Sequence, residues 1–277
     1  MSLPRSAILI GGMVAAAVWA AIAAGAGPAP GVVQGASGVT APNGTVRYVT
    51  IAGREETIVE AVSTRSGRVL WFRSVPGRFG IPMVALDGTV GGLSADGNTL
   101  VLAPAQYGQT ISSRFLVLNT TPLKVRASFT LPGSWSYDAL SPDARTVYLI
   151  QYRFSADNVS YHVRAYDLVA RRLLKQVIAD KSEKGEAMTG SPITRVSSSG
   201  GTWVYTLYAR PGKPFIHALD AARRAAVCID LPWTGSDEEF WKLRLSLSKD
   251  GSRLVVRKSG GAAAAVVDTK TFRVVKG

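Results

Sequence analysis

The stretch Leu140-Ser-Pro-Asp-Ala-Arg-Thr-Val-Tyr-Leu149 is one copy of a phrase that recurs along this chain at intervals of roughly 50 residues. Clear copies also begin at Leu93 and Leu247, and a looser copy runs from Val196 to Tyr205. In the clear copies an Asp-Gly or equivalent pair separates two apolar runs. Such pairs tolerate the positive φ angles of tight hairpin turns, so the flanking runs are predicted to be antiparallel neighbours. The recurrence indicates a series of similar small sheets.

Each copy is followed by two more strand-like runs, which would complete a four-stranded unit. The first of these runs ends in a polar residue, at Asn119, Asp167, Asp220 or Asp268, and a short turn leads to the last run. Four antiparallel strands repeated at this period are typical of a propeller blade. We therefore predict an all-β fold, a β-propeller of about five four-stranded blades. A β-sandwich built from the same short strands is the alternative.

The first unit is less regular than the others. Asn43-Gly44 and the run after it align with Asp250-Gly251, but only the Gly-, Ala- and Ser-rich stretch 31–40 is available as an innermost strand. The sequence therefore leaves open whether the first blade has a complete set of four strands. Helical patterns are confined to the N-terminal apolar run and to Lys181 to Met188, which we interpret as an inserted loop.

The repeated phrase resembles the WD-repeat-like and YVTN-type β-propellers. Ala61-Val-Ser-Thr-Arg-Ser-Gly-Arg-Val-Leu-Trp71 is similar to the tryptophan-docking repeat of quinoprotein-like propellers. The resemblance covers most of Pro42 to Gly277 and implies the fold only, because these families include enzymes, receptors and scaffolds. The sequence lacks the Gly-His and Trp-Asp dipeptides of true WD repeats. Its single cysteine cannot supply the vicinal pair common in quinoprotein dehydrogenases, so no cofactor is predicted.

Residues 1–27 are predicted to be a signal peptide or membrane anchor, residues 28–42 a flexible linker, and residues 43–277 the propeller. Arg5 precedes an uncharged run from Ser6 to Ala26, which we expect to be a hydrophobic helix ending in small residues that suit signal peptidase. At about twenty residues the run is also long enough to span a bilayer. Cleavage and retention both stay open, and either one places the propeller outside the cytoplasm, secreted or anchored at the cell envelope. The Ala-, Gly- and Arg-rich composition suggests a bacterial source.

The chain carries a formal net charge of +13 at pH 7. Basic residues keep an exported domain soluble, and they would also suit anionic envelope polymers or lipid head groups. The export signal argues against nucleic acid as a partner. Arg171-Arg172 and Arg223-Arg224 fall in turns between the third and fourth strands of successive blades, where a scaffold that uses its blade edges would make contact. Cys228 lies within an apolar run and is predicted to be a buried structural residue.

Candidate catalytic and metal-binding residues are scarce. His162 and His217 fall in the third strands of different blades, and we interpret both as strand residues at a sheet surface. No His or Cys pattern supports a metal site, and no glycine-rich loop opens a helix. The recurring aspartates, including Asp96, Asp143 and Asp250, follow the repeat and are predicted to accept hydrogen bonds in turns. We assign no catalytic residue and no metal ligand.

The side chains that depart from the repeat are the candidates for ligand binding. They lie just before or within the innermost strands, where the loops from one blade to the next converge near the axis, and such loops commonly carry function. Aromatic side chains at that face could stack on a sugar or a peptide. The predicted site residues are Trp135, Tyr137, Asp138, Trp233, Glu239, Trp241, Asp87 and Arg195.

These observations favour a non-catalytic exported propeller that binds an unknown protein, peptide or glycan on its axial face. The alternative is a propeller hydrolase or lactonase in which Asp87, Asp138 or Glu239 acts as acid, base or cation ligand. Such an enzyme needs two carboxylates within about 10 Å of each other. The positions of these three side chains therefore discriminate between the two hypotheses.

Overall fold

The computed structural model describes residues 37–105, 108–156, 158–180, 187–210, 212–258 and 261–276. Within these ranges the chain forms five antiparallel sheets, and each sheet is built from four strands that follow one another in the chain. The prediction of an all-β propeller with five four-stranded blades is confirmed. The predicted leader over residues 1–27 and the hydrophobic helix within it lie outside the described residues.

The blades follow one another in the order of the sequence. Blade one comprises β1 (Val39–Thr40), β2 (Val46–Ala52), β3 (Glu56–Ser63) and β4 (Val69–Pro76). Blade two comprises β5 (Phe79–Gly80), β6 (Thr99–Pro104), β7 (Ser112–Thr120) and β8 (Leu123–Pro132). Blade three comprises β9 (Trp135–Leu140), β10 (Thr146–Phe154), β11 (Val159–Asp167) and β12 (Arg172–Ile178).

The last two blades repeat the same order. Blade four comprises β13 (Ser191–Ser197), β14 (Trp203–Ala209), β15 (Phe215–Asp220) and β16 (Ala225–Asp230). Blade five comprises β17 (Arg244–Leu247), β18 (Arg253–Arg257), β19 (Ala263–Asp268) and β20 (Arg273–Lys276). A short helix, α1 (Asp237–Trp241), and one 3-10 turn at Ser199–Gly201 are the helical elements of the described residues.

The first blade has all four strands, although its innermost strand is short. β1 contributes only two residues, and Val39 pairs with Tyr48 of β2. This strand comes from the Gly-rich stretch that the sequence offered for it, and it lies before residue 43, within the predicted linker. The first blade is therefore complete.

The blades pack face to face through apolar side chains. Within the described residues, buried clusters join blade one to two, two to three, three to four, and four to five. Second strands of the inner blades are consequently covered on both faces, and every residue of β6 is buried. In β18, buried and half-exposed residues alternate, which is the pattern of a sheet covered on one face only.

One segment of blade two leaves its sheet and reaches blade four. Residues 81–92, which we call the axial segment, separate β5 from a bridge between Leu93 and Leu100. The N–H of Leu86 donates to the carbonyl of Pro192 in β13 (2.9 Å), and the Leu86 side chain packs against the cluster between blades four and five. Residues 83–92, predicted to lie on an innermost strand, instead connect two blades that are not neighbours in the chain.

Candidate ligand-binding site

The repeated turns share one hydrogen-bonding pattern. In blade two, Ser94 Oγ donates to Asp96 Oδ1 (2.5 Å) and accepts from the N–H of Thr99 (2.9 Å). The turns of blades three and five repeat both bonds. In blade five, hydrogen bonds from Ser248 and then Ser252 hold the pKa of Asp250 at about 2. The prediction that the recurring aspartates accept hydrogen bonds in turns is confirmed.

The turns of blades two, three and four surround a cavity at one end of the innermost strands. The cavity has a volume of about 480 Å³, and we call it the axial cavity. Its lining includes the turns after the innermost strands of blades two, three and four, at residues 94–95, 141–142 and 197–201. Gly91 of the axial segment lines it as well, with Tyr137, Asp138 and Arg195 from the innermost strands.

A β-bulge places Asp138 towards the neighbouring blade. Tyr137 and Ala139 pair with consecutive residues of β10, so Asp138 is the extra residue between them. A bulge removes a backbone carbonyl from the ladder and re-aims the side chain, and both effects are seen here. The carbonyl of Asp138 accepts from Nη1 of Arg195 (2.5 Å), and its carboxylate forms an ion pair with Nη2 of the same guanidinium.

The ion pair between Asp138 and Arg195 is buried. The side chains are only 3% and 6% exposed, and Nε of Arg195 donates to Oγ1 of Thr206 (2.8 Å), its partner across the strands. Burial is the largest effect on the Arg195 guanidinium and lowers its pKa, but the combined effects of Asp138, Tyr208 and Tyr137 outweigh it and raise that pKa. Within the described residues, three of the five guanidinium N–H groups donate to Thr206 and Asp138.

The same sheet face carries a buried histidine next to Thr206. His217 pairs with Thr206 across β14 and β15, is only 2% exposed, and its Nε2 has no hydrogen-bond partner among the described residues. Burial lowers the pKa of His217 to about 4, and the positive charge of Arg195 acts in the same direction. The opposing effects of Asp138 and Asp180 are smaller in sum, so His217 is neutral at pH 7.

Two tyrosines complete this buried polar group. Tyr161 of blade three and Tyr208 of blade four share a hydrogen bond between their hydroxyls, and their rings lie 5.7 Å apart. Burial raises the pKa of both phenols. The group lies between blades three and four, and we call it the polar interface. Its members are Asp138, Tyr161, Arg195, Thr206, Tyr208 and His217.

Three of the eight predicted site residues line the axial cavity, namely Tyr137, Asp138 and Arg195. Tyr137 is buried, and a Cβ on Gly91 would lie 2.8 Å from Cε1 of its ring. The absence of a side chain at Gly91 therefore makes room for the tyrosine. The loops that sequence analysis favoured lie at the opposite end of the innermost strands from the mouth of this cavity.

Two more predicted residues have structural contacts away from the cavity. Trp135 is buried in the cluster between blades two and three, and its Nε1 donates to the carbonyl of Pro132 (2.8 Å). Asp87 lies at an exposed turn of the axial segment, where Oδ1 accepts from the N–H of Thr89 (3.0 Å). Neither side chain lines the axial cavity.

The remaining three residues belong to the loop between blades four and five. Ser236 and Glu239 form a capping box that starts α1, so residues 237–241 form a short helix before β17 begins. Trp233 and Glu239 line a second pocket of about 270 Å³, and Trp241 is 43% exposed on α1. We call this the distal pocket. Its lining residues are Trp233, Thr234, Gly235, Glu239, Phe240, Lys242, Leu243 and Lys258.

The three carboxylates considered for a hydrolase lie in different surroundings. Asp138 lines the axial cavity and is paired with Arg195, Glu239 lines the distal pocket, and Asp87 caps a turn. Within the described ranges, no group of three or more His, Cys, Asp and Glu residues could hold a metal ion.

Sequence analysis missed Thr206 and His217 as parts of the site. The interpretation of both histidines as residues at a sheet surface is wrong, because the neighbouring blade covers the sheet faces on which they lie. His162 and His217 are both buried. Arg195, Thr206 and His217 share one row across three strands, and pairing the predicted strands in register would have brought them together.

The arginine-rich turns occupy the predicted positions. Arg171 and Arg224 lie between the third and fourth strands of blades three and four, with φ angles of 53° and 58°. The preceding aspartates, Asp167 and Asp220, accept hydrogen bonds from the turn N–H groups. The backbone of each arginine adopts the positive φ angle of its turn, and the arginine side chain is exposed.

Membrane insertion was predicted for a segment outside the described residues. Of the helices formed within those residues, none has the length and apolar character needed to cross a bilayer. The apolar run from Ser6 to Ala26 precedes residue 37, where the description begins.

The fold is shared with solved β-propellers, while no protein-family model and no curated protein matches this sequence. The chain is 13% identical to the Cps50 (Swd1) β-propeller domain of Myceliophteria thermophila, with a TM-score of 0.50 over 86% of this chain and 69% of that one. It is also 13% identical to Kuenenia stuttgartiensis hydrazine synthase, with a TM-score of 0.43 over 86% and 78%. TolB from Acinetobacter baumannii is 15% identical, with a TM-score of 0.37 over 83% and 56%. Such low identities show the fold alone.

Proposed function

We propose that this chain is a non-catalytic propeller module that binds a ligand in its axial cavity. The observation that carries the proposal is the buried Asp138–Arg195 ion pair in the wall of a cavity of about 480 Å³. Small-molecule sites commonly measure about 300–1,000 Å³ and combine apolar walls with a few convergent polar groups. Val84, Leu93 and Val204 supply apolar wall here, and the ion pair supplies the polar group.

The ion pair favours a ligand that accepts hydrogen bonds. Its two charges cancel, and the guanidinium keeps two N–H groups beyond those given to Asp138 and Thr206. An arginine held by a carboxylate is fixed in one orientation, so a remaining N–H group is preorganised to donate to an acceptor such as a carboxylate oxygen. The C-terminal carboxylate of a peptide and the carboxylate of an acidic sugar both meet this description.

The test is to close the mouth of the cavity and to leave the Asp138–Arg195 ion pair unchanged. Ala95 is exposed at the rim, next to Gly201 of blade four, and Ala95→Trp would cover the opening. The probes are short peptides with a free C-terminus, the same peptides amidated, and hexuronic-acid oligosaccharides. Calorimetric titration should show binding of a probe with a free carboxylate by the wild type, and a loss of about tenfold or more in affinity for Ala95→Trp.

A matched control is available in the turn of blade five. Lys249 occupies the position of Ala95 in its own turn, but that turn does not line the cavity. Lys249→Trp should bind the probes like the wild type. Equal affinities of the wild type and Ala95→Trp would refute the axial cavity as the site, and equal binding of amidated and free peptides would refute the role assigned to Arg195.

We also propose that the module works outside the cytoplasm. The support is the sequence of residues 1–27, in which Arg5 precedes an uncharged run that ends in small residues. Fusing the full chain to alkaline phosphatase, which is active only after export from the bacterial cytoplasm, tests this. Phosphatase activity that disappears when Ile10 and Val14 are both changed to Asp would support export, and activity absent from the wild-type fusion would contradict it.

A further inference from the structure

Within the part of the chain that the structure describes, one sheet face of the first blade is covered by no other blade. Three cross-strand rows lie on this face, because alternate residues of a strand share a side. From β2 to β4 the rows are Arg47–Val62–Val69, Val49–Glu60–Phe72 and Ile51–Ile58–Ser74. The opposite face carries Tyr48, Val59, Ala61 and Val75, which pack against blade two. We call the uncovered side the open face of blade one.

Large apolar side chains on this open face are more exposed than a comparable side chain of blade two. Phe72 is 68% exposed and Ile51 is 48% exposed, whereas Phe129, on the fourth strand of blade two, is buried. Val69 and Leu70 are also large exposed apolar residues of β4. A contiguous group of exposed apolar side chains on a flat sheet marks an interaction surface more often than a solvated one.

The charges on the open face favour a copy of itself as its partner. Arg47 and Glu60 lie in adjacent rows, and they do not form an ion pair with each other among the described residues. A face that carries both signs can pair with its own copy, because a two-fold axis can bring Arg47 of one copy opposite Glu60 of the other.

The uncovered side of blade five has a different character. It carries the exposed arginines Arg253, Arg257 and Arg273, and its carboxylate Asp268 already accepts hydrogen bonds from its own turn. Two copies of that face would repel each other. A face of blade five against blade one of another copy would make an open-ended, head-to-tail contact, whereas a two-fold contact closes on itself.

We propose that two copies of this chain associate through the open face of blade one, around a two-fold axis that brings Arg47 of one copy to Glu60 of the other. Phe72, Ile51 and Val49 lie on the strands either side of Glu60 and supply the apolar part of this contact. The inference is independent of the ligand proposed for the axial cavity, since none of these residues lines that cavity.

Sedimentation velocity of the full chain, in a density-matched detergent solution that also accommodates its N-terminal apolar run, measures the association. The wild type should sediment as a dimer, and Phe72→Glu should raise the dimer dissociation constant by about tenfold or more. Val275→Glu is the matched control, because Val275 is 53% exposed on the last strand of blade five. It should remain dimeric.

Charge reversal tests the predicted contact between the copies. Arg47→Glu should weaken the dimer, and Arg47→Glu combined with Glu60→Arg should restore it. A monomeric wild type overturns the proposal, as does a dimer that survives Phe72→Glu. Disruption by Val275→Glu as well would identify the head-to-tail contact instead and would also overturn it. Circular dichroism of each variant separates loss of association from loss of fold.

Discussion

The two sides of blade three make contrasting interfaces. Towards blade two, its side chains join a cluster of buried residues with apolar or aromatic character, including Val147 and Leu149. Towards blade four, it contributes Asp138 and Tyr161 to the polar interface, opposite Arg195 and His217. Both sides are face-to-face contacts between neighbouring sheets of the same repeat.

The difference shows that a contact between two blades of this repeat can be built around an apolar cluster. Among the described residues, the buried ion pair is found only on the side towards blade four, and it adds a desolvation cost that the fold alone does not explain. That interface is also the one adjoining the axial cavity. We interpret the buried charges as a feature retained for ligand binding. The following experiments measure how these charges change the free energy of unfolding.

The largest effect is expected from removing one charge of the pair. Asp138→Leu leaves Arg195 buried without its counter-ion and should lower the free energy of unfolding by about 3–5 kcal/mol. Asp138→Leu with Arg195→Met removes both charges at similar volume and should recover most of that loss. Urea denaturation of the wild type, single and double variants provides the measurement. A double variant as unstable as the single one would contradict this account of the pair.

A comparable loss is expected at the apolar interface, but for a different reason. Leu149 is fully buried between blades two and three, and Leu149→Ala should cost about 2–5 kcal/mol through lost contacts and a cavity. Because no titrating group of the polar interface is removed, the difference from the wild type should stay constant between pH 6.5 and 4. Denaturation at several pH values checks it, and a pH-dependent difference would show that the two interfaces are coupled.

His217 should give the polar interface a dependence on pH. In the folded state burial lowers the pKa of His217 from 6.5 to about 4, so the unfolded chain binds more protons between these values. Stability therefore falls as the pH drops through that range, by up to about 3 kcal/mol at about 1.4 kcal/mol per unit of pKa. His217→Gln should flatten this slope. The aspartates of the turns have lowered pKa values, so their contribution is lost only below about pH 4.

The smallest effects are expected in the turns of the repeat. Ser94→Ala removes a buried hydroxyl that donates one hydrogen bond and accepts another. It should lower the free energy of unfolding by about 1 kcal/mol. Ser248→Ala makes the same change in blade five, where the serine is less buried, and should cost less. Thermal unfolding of both variants checks the order. A larger loss at Ser248 would mean that burial does not set the strength of this turn.

The blade architecture was predictable from the sequence because its determinants are local. Each turn depends on a serine and an aspartate two residues apart, and the same pair recurs at Ser94, Ser141 and Ser248. The strands on either side follow from the apolar runs that this turn joins. The short strand β1 was ambiguous because only two of its residues enter the ladder.

The site was predictable in its residues but not in its arrangement. Asp138 and Arg195 stood out because they depart from the repeat, but their pairing depends on a bulge in β9 and on contacts between residues 57 positions apart in the chain. Trp135 also departs from the repeat, yet it fills space between two blades. Departure from a repeat thus identifies unusual positions, and only packing decides whether they face a cavity or a core.

The axial segment has a consequence for how this molecule should unfold. In an array of repeats that contact only their neighbours, terminal units can melt one at a time. Here the backbone of residues 86–87 is hydrogen-bonded to Pro192 and Ile193, and Leu86 packs against the cluster between blades four and five. Detaching the fourth unit therefore also breaks contacts made by the second, so the middle of the array should lose its structure as one cooperative block.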